Sequence, residues 1–408
     1  MTVVRFLSCS NFLLFLIGIG LMSCEQGKEV DPKSQLLPTG REMVVRPNIL
    51  WLVAEDLGPY IAPFGDTTAH TPHLSRLAAE GVIYSNTFSP SGVCAPSRAA
   101  IATGMYPSSI GANHMRTGSN SDATGLPPYE AVPPSGVRMV SEILRANGYY
   151  CSNNAKEDYQ FQAPVTGWDE SGPYAHWRNR SENQPFFAVF NFNQTHESGL
   201  FEPYGFKNSE KRHYRSGDRS FAIQPGQTRE EETPKHLKKD KDFPLPPYLP
   251  DTDTVRRDLW KMYNNITEMD LQIGAVLQQL EADGLLENTI IFFYGDHGGP
   301  LPRQKRLIYD SGLNTPLIIR FPGKQDAGLK DEQLISFVDF APTLLSLAGI
   351  QPLEYMQGQA FLGKYQATEP RDYIHGAADR FDEVTDAIRI VRNNRFKYIR
   401  NYWPSQGY

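Results

Sequence analysis

The sequence predicts an α/β fold in which a buried, mainly parallel sheet lies between helices, and three observations carry that reading. Asn48–Ala54 (Asn-Ile-Leu-Trp-Leu-Val-Ala), Phe186–Phe192 and Asn288–Tyr294 are nearly continuous apolar runs of strand length, as expected of strands covered on both faces. A helix from about Asp253 to Ala282 carries Leu259, Met262, Ile266, Met269, Ile273, Val276 and Leu280. That spacing alternates threes and fours and lays one apolar stripe against the sheet. Each apolar run ends in polar groups: Glu55-Asp56, Asn193 to Glu197, and Gly295-Asp296-His297. Open α/β sheets collect ligand groups at such carboxyl ends.

The remaining elements follow in order. Thr71-Pro72-His73-Leu74 reads as a helix start capped by Thr71, with Gly81 as its stop, and Val82 to Phe88 as the next strand. Cys94 to Gly104 reads as a helix with Pro96 in its first turn, which puts residue 94 at the positive end and Arg98 one turn below. Gly136 to Asn147 has helical spacing and is stopped by Gly148. From Leu200 to Pro250 the pattern breaks into a long polar excursion containing the charge run Lys235 to Lys241. Loops of that length are functional or disordered, and this one is read as a substrate-facing insertion. Thr315 to Arg320 is a further strand, Val338 to Leu345 a helix, and Ala387–Val391 with Arg395–Tyr402 a hairpin turning at Asn393-Asn394. No internal repeat is present.

The chain has 408 residues, 40% hydrophobic and 21% charged, with a net charge of −6. That balance is ordinary for a globular protein and argues against a nucleic-acid partner. Arg5 and the short apolar run Phe12 to Gly20 form a signal segment too short to span a bilayer comfortably. Leu21-Met22-Ser23-Cys24 resembles the lipobox of bacterial lipoproteins, which would make Cys24 the lipidated first mature residue. The implied location is the cell envelope of a Gram-negative bacterium, anchored to its outer membrane. Residues 1–23 are then signal peptide and 24–45 a tether. Residues 46–350 form the main domain, and 351–408 a small C-terminal subdomain, either minimal or truncated. Cys9, Cys24 and Cys94 being accounted for, Cys151 has no disulfide partner.

Cys94-Ala95-Pro96-Ser97-Arg98 resembles the modification motif of the type I sulfatases, and the resemblance extends from about Arg46 to Tyr402. It implies the alkaline-phosphatase-superfamily sulfatase fold, α/β with a mixed, mainly parallel central sheet flanked by helices and a short C-terminal antiparallel subdomain. In that family a maturation enzyme, either formylglycine-generating or anaerobic, oxidises the cysteine to formylglycine. A hydrated aldehyde oxygen then attacks sulfur. Glu55 and Asp56 stand where the family binds calcium with two aspartates, Glu55 being one methylene longer. Asp296 and His297 stand where it has Asp followed by Asn or His. The implied metal set is therefore Glu55, Asp56, Asp296, His297 and residue 94. Acids from two strand ends suit an oxygen-rich cation site, and the softer His297 leaves the metal's identity open.

The same resemblance assigns Arg98 to the nucleophile, and Lys156 and Lys305 to the sulfate oxygens; Arg303 and Arg306 flank Lys305, and the sequence leaves the choice among the three open. His196 is the proton donor to the leaving group, work that suits a histidine pKa. The family's Gly-Lys-x-His is here Ala155-Lys156-Glu157-Asp158. Either Asp158 takes the histidine's part or His114, in Asn113-His114-Met115-Arg116, replaces it in space. His114, Arg116, Asp158 and Arg303 are the substrate-binding candidates. The implied activity is hydrolysis of sulfate esters of a polysaccharide such as ulvan from marine algae. N-sulfoglucosamine sulfohydrolase action on heparan-type glycans is the first alternative, since several local sequences resemble that branch. A catalytically inactive glycan-binding lipoprotein is the second.

Overall fold

The computed structural model describes residues 46–115, 125, 127–154, 156–201, 237, 243–381 and 384–405. The signal segment, Cys24, the tether, Arg116 and the charge run from Lys235 to Lys241 (Leu237 excepted) lie outside the described residues. Everything described belongs to one compact unit.

The central sheet holds β1 (Asn48–Ala54), β2 (Val82–Phe88), β3 (Tyr150–Asn154), β4 (Glu170–Gly172), β5 (Phe186–Phe192), β6 (Thr289–Gly295), β7 (Asn314–Arg320), β8 (Lys330–Asp331) and β9 (Ile335–Ser336). Their order is β4-β3-β5-β1-β6-β7-β2-β8, with β9 beside β2. All neighbouring pairs are parallel except those made by β7, which runs against both β6 and β2. The sheet is therefore mixed and mainly parallel, as the sequence leads one to expect. A second, antiparallel sheet of β10 (Ile374–Ala378), β11 (Ile388–Arg392) and β12 (Lys397–Asn401) follows. It packs Ile374, Ala378 and Ile390 against Phe88, Val93, Ile308 and Leu313.

The helices are α1 (Pro72–Ala79), α2 (Cys94–Thr103), α3 (Val140–Ala146), α4 (Ser198–Phe201), α5 (Asp253–Ala282), α6 (Asp310–Leu313) and α7 (Phe340–Leu347). Strand alternation sends Leu50, Leu52, Phe186, Phe190, Ile291 and Phe293 to one face, where the whole predicted stripe of α5 buries against them. The opposite face presents Trp51, Phe187, Phe292 and Tyr294, with Phe340 of α7 closing on Trp51 and Tyr294 at ring separations of 6.0 and 5.0 Å. All ten residues of α2 are buried, so its small alanines let it lie close to the sheet.

Several local expectations need correction. The Thr71 side chain makes no cap hydrogen bond; instead the α5 carboxylate of Asp270 accepts from the N–H groups of His73 and Leu74 at 3.1 and 2.9 Å. A long-range partner thus satisfies the first-turn donors that a local cap would have taken. Helix α3 begins at Val140, later than expected, because Glu142 reaches back to accept from the Met139 N–H at 2.9 Å and fixes the start there. Strand β10 and the short edge strands have no signal in the sequence pattern, being too brief for periodicity to show.

Trp177 and His176 seal the edge of the main core. The His176 Nδ1 accepts from the Arg178 N–H at 3.1 Å, so its proton sits on Nε2, which donates to Gln279 at 3.1 Å. Burial holds the ring's pKa down at about 4 from an unfolded value near 6.5. Stability from this neutral ring is complete above about pH 6.5 and drains away as pH falls towards 4, by about 3 kcal/mol in all. In urea titrations across that interval, His176→Gln should lose about that much less stability than the wild type. Parallel curves for the two proteins would refute the assignment.

Candidate active site

The site is built at the carboxyl ends of the central strands by strand register. Ala54 pairs with Phe192 of β5 on one side and Gly295 of β6 on the other, so the residues that follow emerge side by side. Glu55 N–H donates to Phe192 O at 3.1 Å, and Asp296 N–H to Ala54 O at 2.9 Å. Asp56 N–H donates to the Asp296 carboxylate at 3.0 Å. Asp56 itself sits at φ 46°, a conformation that costs a non-glycine residue about 1–2 kcal/mol and is held only by its surroundings. Behind His297, Gly298 is required because a β-carbon there would lie 2.1 Å from Ser311 O.

Cys94 is the first residue of α2 and only 3% exposed. Its Sγ lies 3.4 Å from His297 Nε2, 3.9 Å from Asp56 and 4.0 Å from Glu55. One turn on, Arg98 donates to Asp296 at 3.1 Å, to Asn191 at 2.7 Å and to Glu55. The Ser97 hydroxyl donates to Asp296 O, locking the first turn of the helix to the end of β6.

Glu55, Asp56 and Asp296 are wholly buried carboxylates, and cations surround them. Lys156 donates to Glu55 and lies 3.1 Å from Asp158. Lys305 donates to both Asp56 oxygens at 2.9 and 2.7 Å and lies 3.2 Å from Glu197 and from His196 Nε2. Burial would raise the Glu55 carboxyl, but Lys156 and Arg98 overcome it and hold it at about 2. Asp56 is held well below the carboxylate range in the same way, chiefly by Lys305. Burial would discharge Lys305, but Asp56 and Glu197 keep it charged. Burial lowers His196, and Asp56 only partly offsets the effect. The ring is therefore neutral at pH 7; its Nδ1 accepts from the Ser198 N–H at 3.2 Å and lies 2.9 Å from the Ser198 hydroxyl, while its Nε2 stands 3.2 Å from Lys305 Nζ.

These groups open onto a cleft of about 610 Å³ lined by Cys94, Lys156, Asp158, Gln160, His196, Lys305 and Arg306 among others. The structure thus brings Glu55, Asp56, Cys94, Arg98, Lys156, Asp158, His196, Asp296, His297 and Lys305 together, from five separate stretches of chain. It does not bring in His114, whose Nδ1 accepts from the Arg380 N–H at 3.1 Å and whose ring lies against Tyr129. Nor does Arg303 line the cleft, for its guanidinium stacks between Tyr248 and Tyr309 at 5.1 and 5.0 Å. Asp158, not His114, is the group that stands beside Lys156.

Two participants, Glu197 and Asn191, escaped the sequence reading, and Arg306, read only as a neighbour of Lys305, joins them. Arg306 reaches the cleft and pairs with Glu197 at 2.8 and 2.9 Å. Glu197 anchors Lys305 as well, and its N–H donates to Asp56 at 2.7 Å. Asn191 holds Arg98 from inside an apolar strand. A polar residue in the middle of Phe186–Phe192 was the available signal for that role.

The donor set fits a hard divalent cation. Ligand atoms of Glu55, Asp56, Cys94 and His196 lie within 4.8 Å of one another, as do those of Cys94, Asp296 and His297. Carboxylate oxygens dominate, and His297 Nδ1, 3.0 Å from Gly298 O, is engaged by its own backbone, which turns Nε2 inward.

Comparison with known proteins agrees with this geometry. The family model described as Sulfatase matches residues 47–175 and 173–350. The model described as N-sulphoglucosamine sulphohydrolase, C-terminal, matches residues 296–408. An ulvan-active sulfatase of Formosa agariphila is 66% identical over 419 residues, covering all of this chain and 70% of that protein. Human N-sulphoglucosamine sulphohydrolase is 24% identical over 380 residues, covering 87% of this chain and 73% of its own. A solved structure in complex with its substrate, D-glucosamine-2-N,6-O-disulfate, superposes with a TM-score of 0.62 at 19% identity, over 88% of this chain and 89% of that one.

The pairing of Asp56 with Lys305 joins two groups that are both almost wholly buried. Breaking it leaves the Lys305 ammonium to Glu197 alone, so Asp56→Asn should cost up to about 3 kcal/mol in urea unfolding of chelator-treated protein. Adding Lys305→Met should recover part of that loss. Strictly additive losses in the double variant would show that the pair is not coupled.

Proposed function

This chain belongs to the sulfatase family, and from that premise we propose that it removes sulfate esters from ulvan or a closely similar algal polysaccharide, with residue 94 as the attacking group. The observation that supports this most directly is the seat of Cys94. It lies at the positive end of α2, within 4.0 Å of Glu55, Asp56 and His297, with the ammonium groups of Lys156 and Lys305 on the same cleft wall. Converted to formylglycine by a maturation enzyme, residue 94 would supply the hydrated aldehyde whose oxygen attacks sulfur. A divalent cation on Glu55, Asp56, Asp296 and His297, calcium by the oxygen-rich donors, would supply Lewis-acid stabilisation beside it.

The chain's own side chains account for the rest. Arg98 fixes the carboxylates Glu55 and Asp296 and presents positive charge under residue 94. Lys156 and Lys305 face the cleft as donors for sulfate oxygens, where charge on the transferring group is neutralised. His196 faces the leaving side. Its Nε2 stands 3.2 Å from the Lys305 ammonium, whose charge holds the ring's basicity down, and an arriving sulfate anion that draws Lys305 away raises it, so that the ring can take a proton and hand it to the departing sugar oxygen. The 66% identity to an ulvan-active sulfatase supports the substrate class, while the human relative at 24% supports sulfatase chemistry on a sugar without favouring nitrogen over oxygen. The Leu21-Met22-Ser23-Cys24 sequence supports a lipid anchor at Cys24 and work at the cell envelope.

The deciding assay measures inorganic sulfate released by protein whose Cys94 conversion is confirmed by peptide mass. Ulvan oligosaccharides and N-sulfoglucosamine are offered separately, with Cys94→Ala as the blank. Release from the ulvan fragments alone is expected, and release from N-sulfoglucosamine alone would replace this reading with the N-sulfatase one. Chelation should abolish turnover and added calcium restore it. His196→Gln should lower kcat on the oligosaccharide by about 100-fold or more, with much less loss on an aryl sulfate whose leaving group needs no proton. Equal losses on both would remove His196 from proton delivery.

A further inference from the structure

One wall of the cleft carries a polar group that the chemistry at sulfur does not use. Gln160 is 2% exposed, and among the described residues neither its Nε2 nor its Oε1 has a hydrogen-bond partner. A buried amide left unsatisfied carries the desolvation penalty of each polar end. Gln160 also sits at φ 59°, next but one to Asp158 at φ 58°, so the backbone bears strain to place it. The placement is nonetheless well supported. Gln160 O accepts from the Ala131 N–H at 2.9 Å, and the flanking Tyr159 and Phe161 rings stack at 5.7 Å. Gln160, on a backbone held in this way and with both ends of its side chain unsatisfied, lines the same cavity as Cys94, Lys156 and His196.

We infer that Gln160 recognises the sugar bearing the sulfate, its amide donating to one hydroxyl and accepting from another on an adjacent ring carbon. A planar group with a donor and an acceptor side by side suits a vicinal diol, in which each hydroxyl can play either part. The same cavity holds Lys156 and Lys305, whose charge fits the sulfate end. Gln160 therefore supplies a neutral contact next to it, at the saccharide. Charge alone would bind any anion, whereas a buried amide left empty by the wrong sugar penalises that sugar, which is how a polar pocket discriminates. The assignment deepens the proposed function and rests on it.

The test compares wild type with Gln160→Leu and Gln160→Glu, all with confirmed formylglycine content, on ulvan oligosaccharides and on a matched fragment lacking the hydroxyl adjacent to the sulfated carbon. Wild type should prefer the intact fragment. Gln160→Leu should raise KM on it about tenfold or more, change kcat less, and lose the preference. Because leucine removes unsatisfied polar atoms at similar volume, its melting temperature should hold or rise. Gln160→Glu keeps an acceptor but adds a charge beside an anionic substrate and should be worse than leucine. A lower melting temperature in Gln160→Leu, with kcat reduced and the preference intact, would make Gln160 a structural residue satisfied by water and overturn the inference. Unchanged KM and preference would overturn it equally. If wild type releases no sulfate from either fragment, the ulvan reading fails and not this one. In that case titration of the Cys94→Ala protein and its Gln160→Leu double variant with N-sulfoglucosamine repeats the comparison, a tenfold loss of affinity supporting the sugar contact and equal affinity refuting it.

Discussion

Three carboxylates without solvent contact, Glu55, Asp56 and Asp296, stand at the level ends of two paired strands, and the rest of the molecule answers to that fact. Isolated, each would cost several kcal/mol to bury and would take up a proton instead. Arg98, Lys156 and Lys305 prevent this, but only because each is itself fixed. Arg98 is carried by a fully buried helix and steadied by Asn191. Lys305 is shared among Asp56, Glu197 and His196. Lys156 is set by Asp158. The candidate cation cluster and the two lysines that line the cleft thus belong to one network.

Such a network resists relaxation, and the backbone records it. Asp56, Asp158, Gln160, Arg303 and Arg306 all adopt positive φ, a region that disfavours side chains. Four of them, Asp56, Asp158, Gln160 and Arg306, touch the network or line the cleft. Strain of this kind survives where neighbouring contacts over-determine it. Here the over-determination comes from charge pairs and from a sheet whose register leaves the strand ends no freedom.

Much of this was legible before any coordinate. The long helix showed its stripe because its buried apolar positions from Leu259 to Leu280 include a series that repeats at helical spacing, and the strands showed themselves because both faces are covered. The chemical groups were visible as the residues that end those strands. What could not be read was anything set by contacts between distant segments. Thr71 looked like a cap, but Asp270, almost two hundred positions away, had the better geometry. His114 looked like a stand-in for an absent histidine because of its residue type, yet its ring is spent on Arg380. Among Arg303, Lys305 and Arg306 the spacing gave no ruling, since a loop has no period. Only the fold shows Arg303 leaving to stack on tyrosines while Arg306 turns back to Glu197.

The division between sheet and loops also explains why family membership is easier to establish than substrate. The residues proposed to handle sulfate hang from β1, β3, β5, β6 and α2, within a fold shared with a solved structure at 19% identity and a TM-score of 0.62. The parts that would meet the sugar, from Glu157 to Ala163 and around Arg306, lie on loops between those elements. Loops tolerate exchange without disturbing a core. A protein built this way can keep its reaction while its glycan changes. Reading the substrate therefore means reading the loop residues whose hydrogen bonds the protein itself leaves unmade, because a group the fold does not satisfy is the one a ligand can.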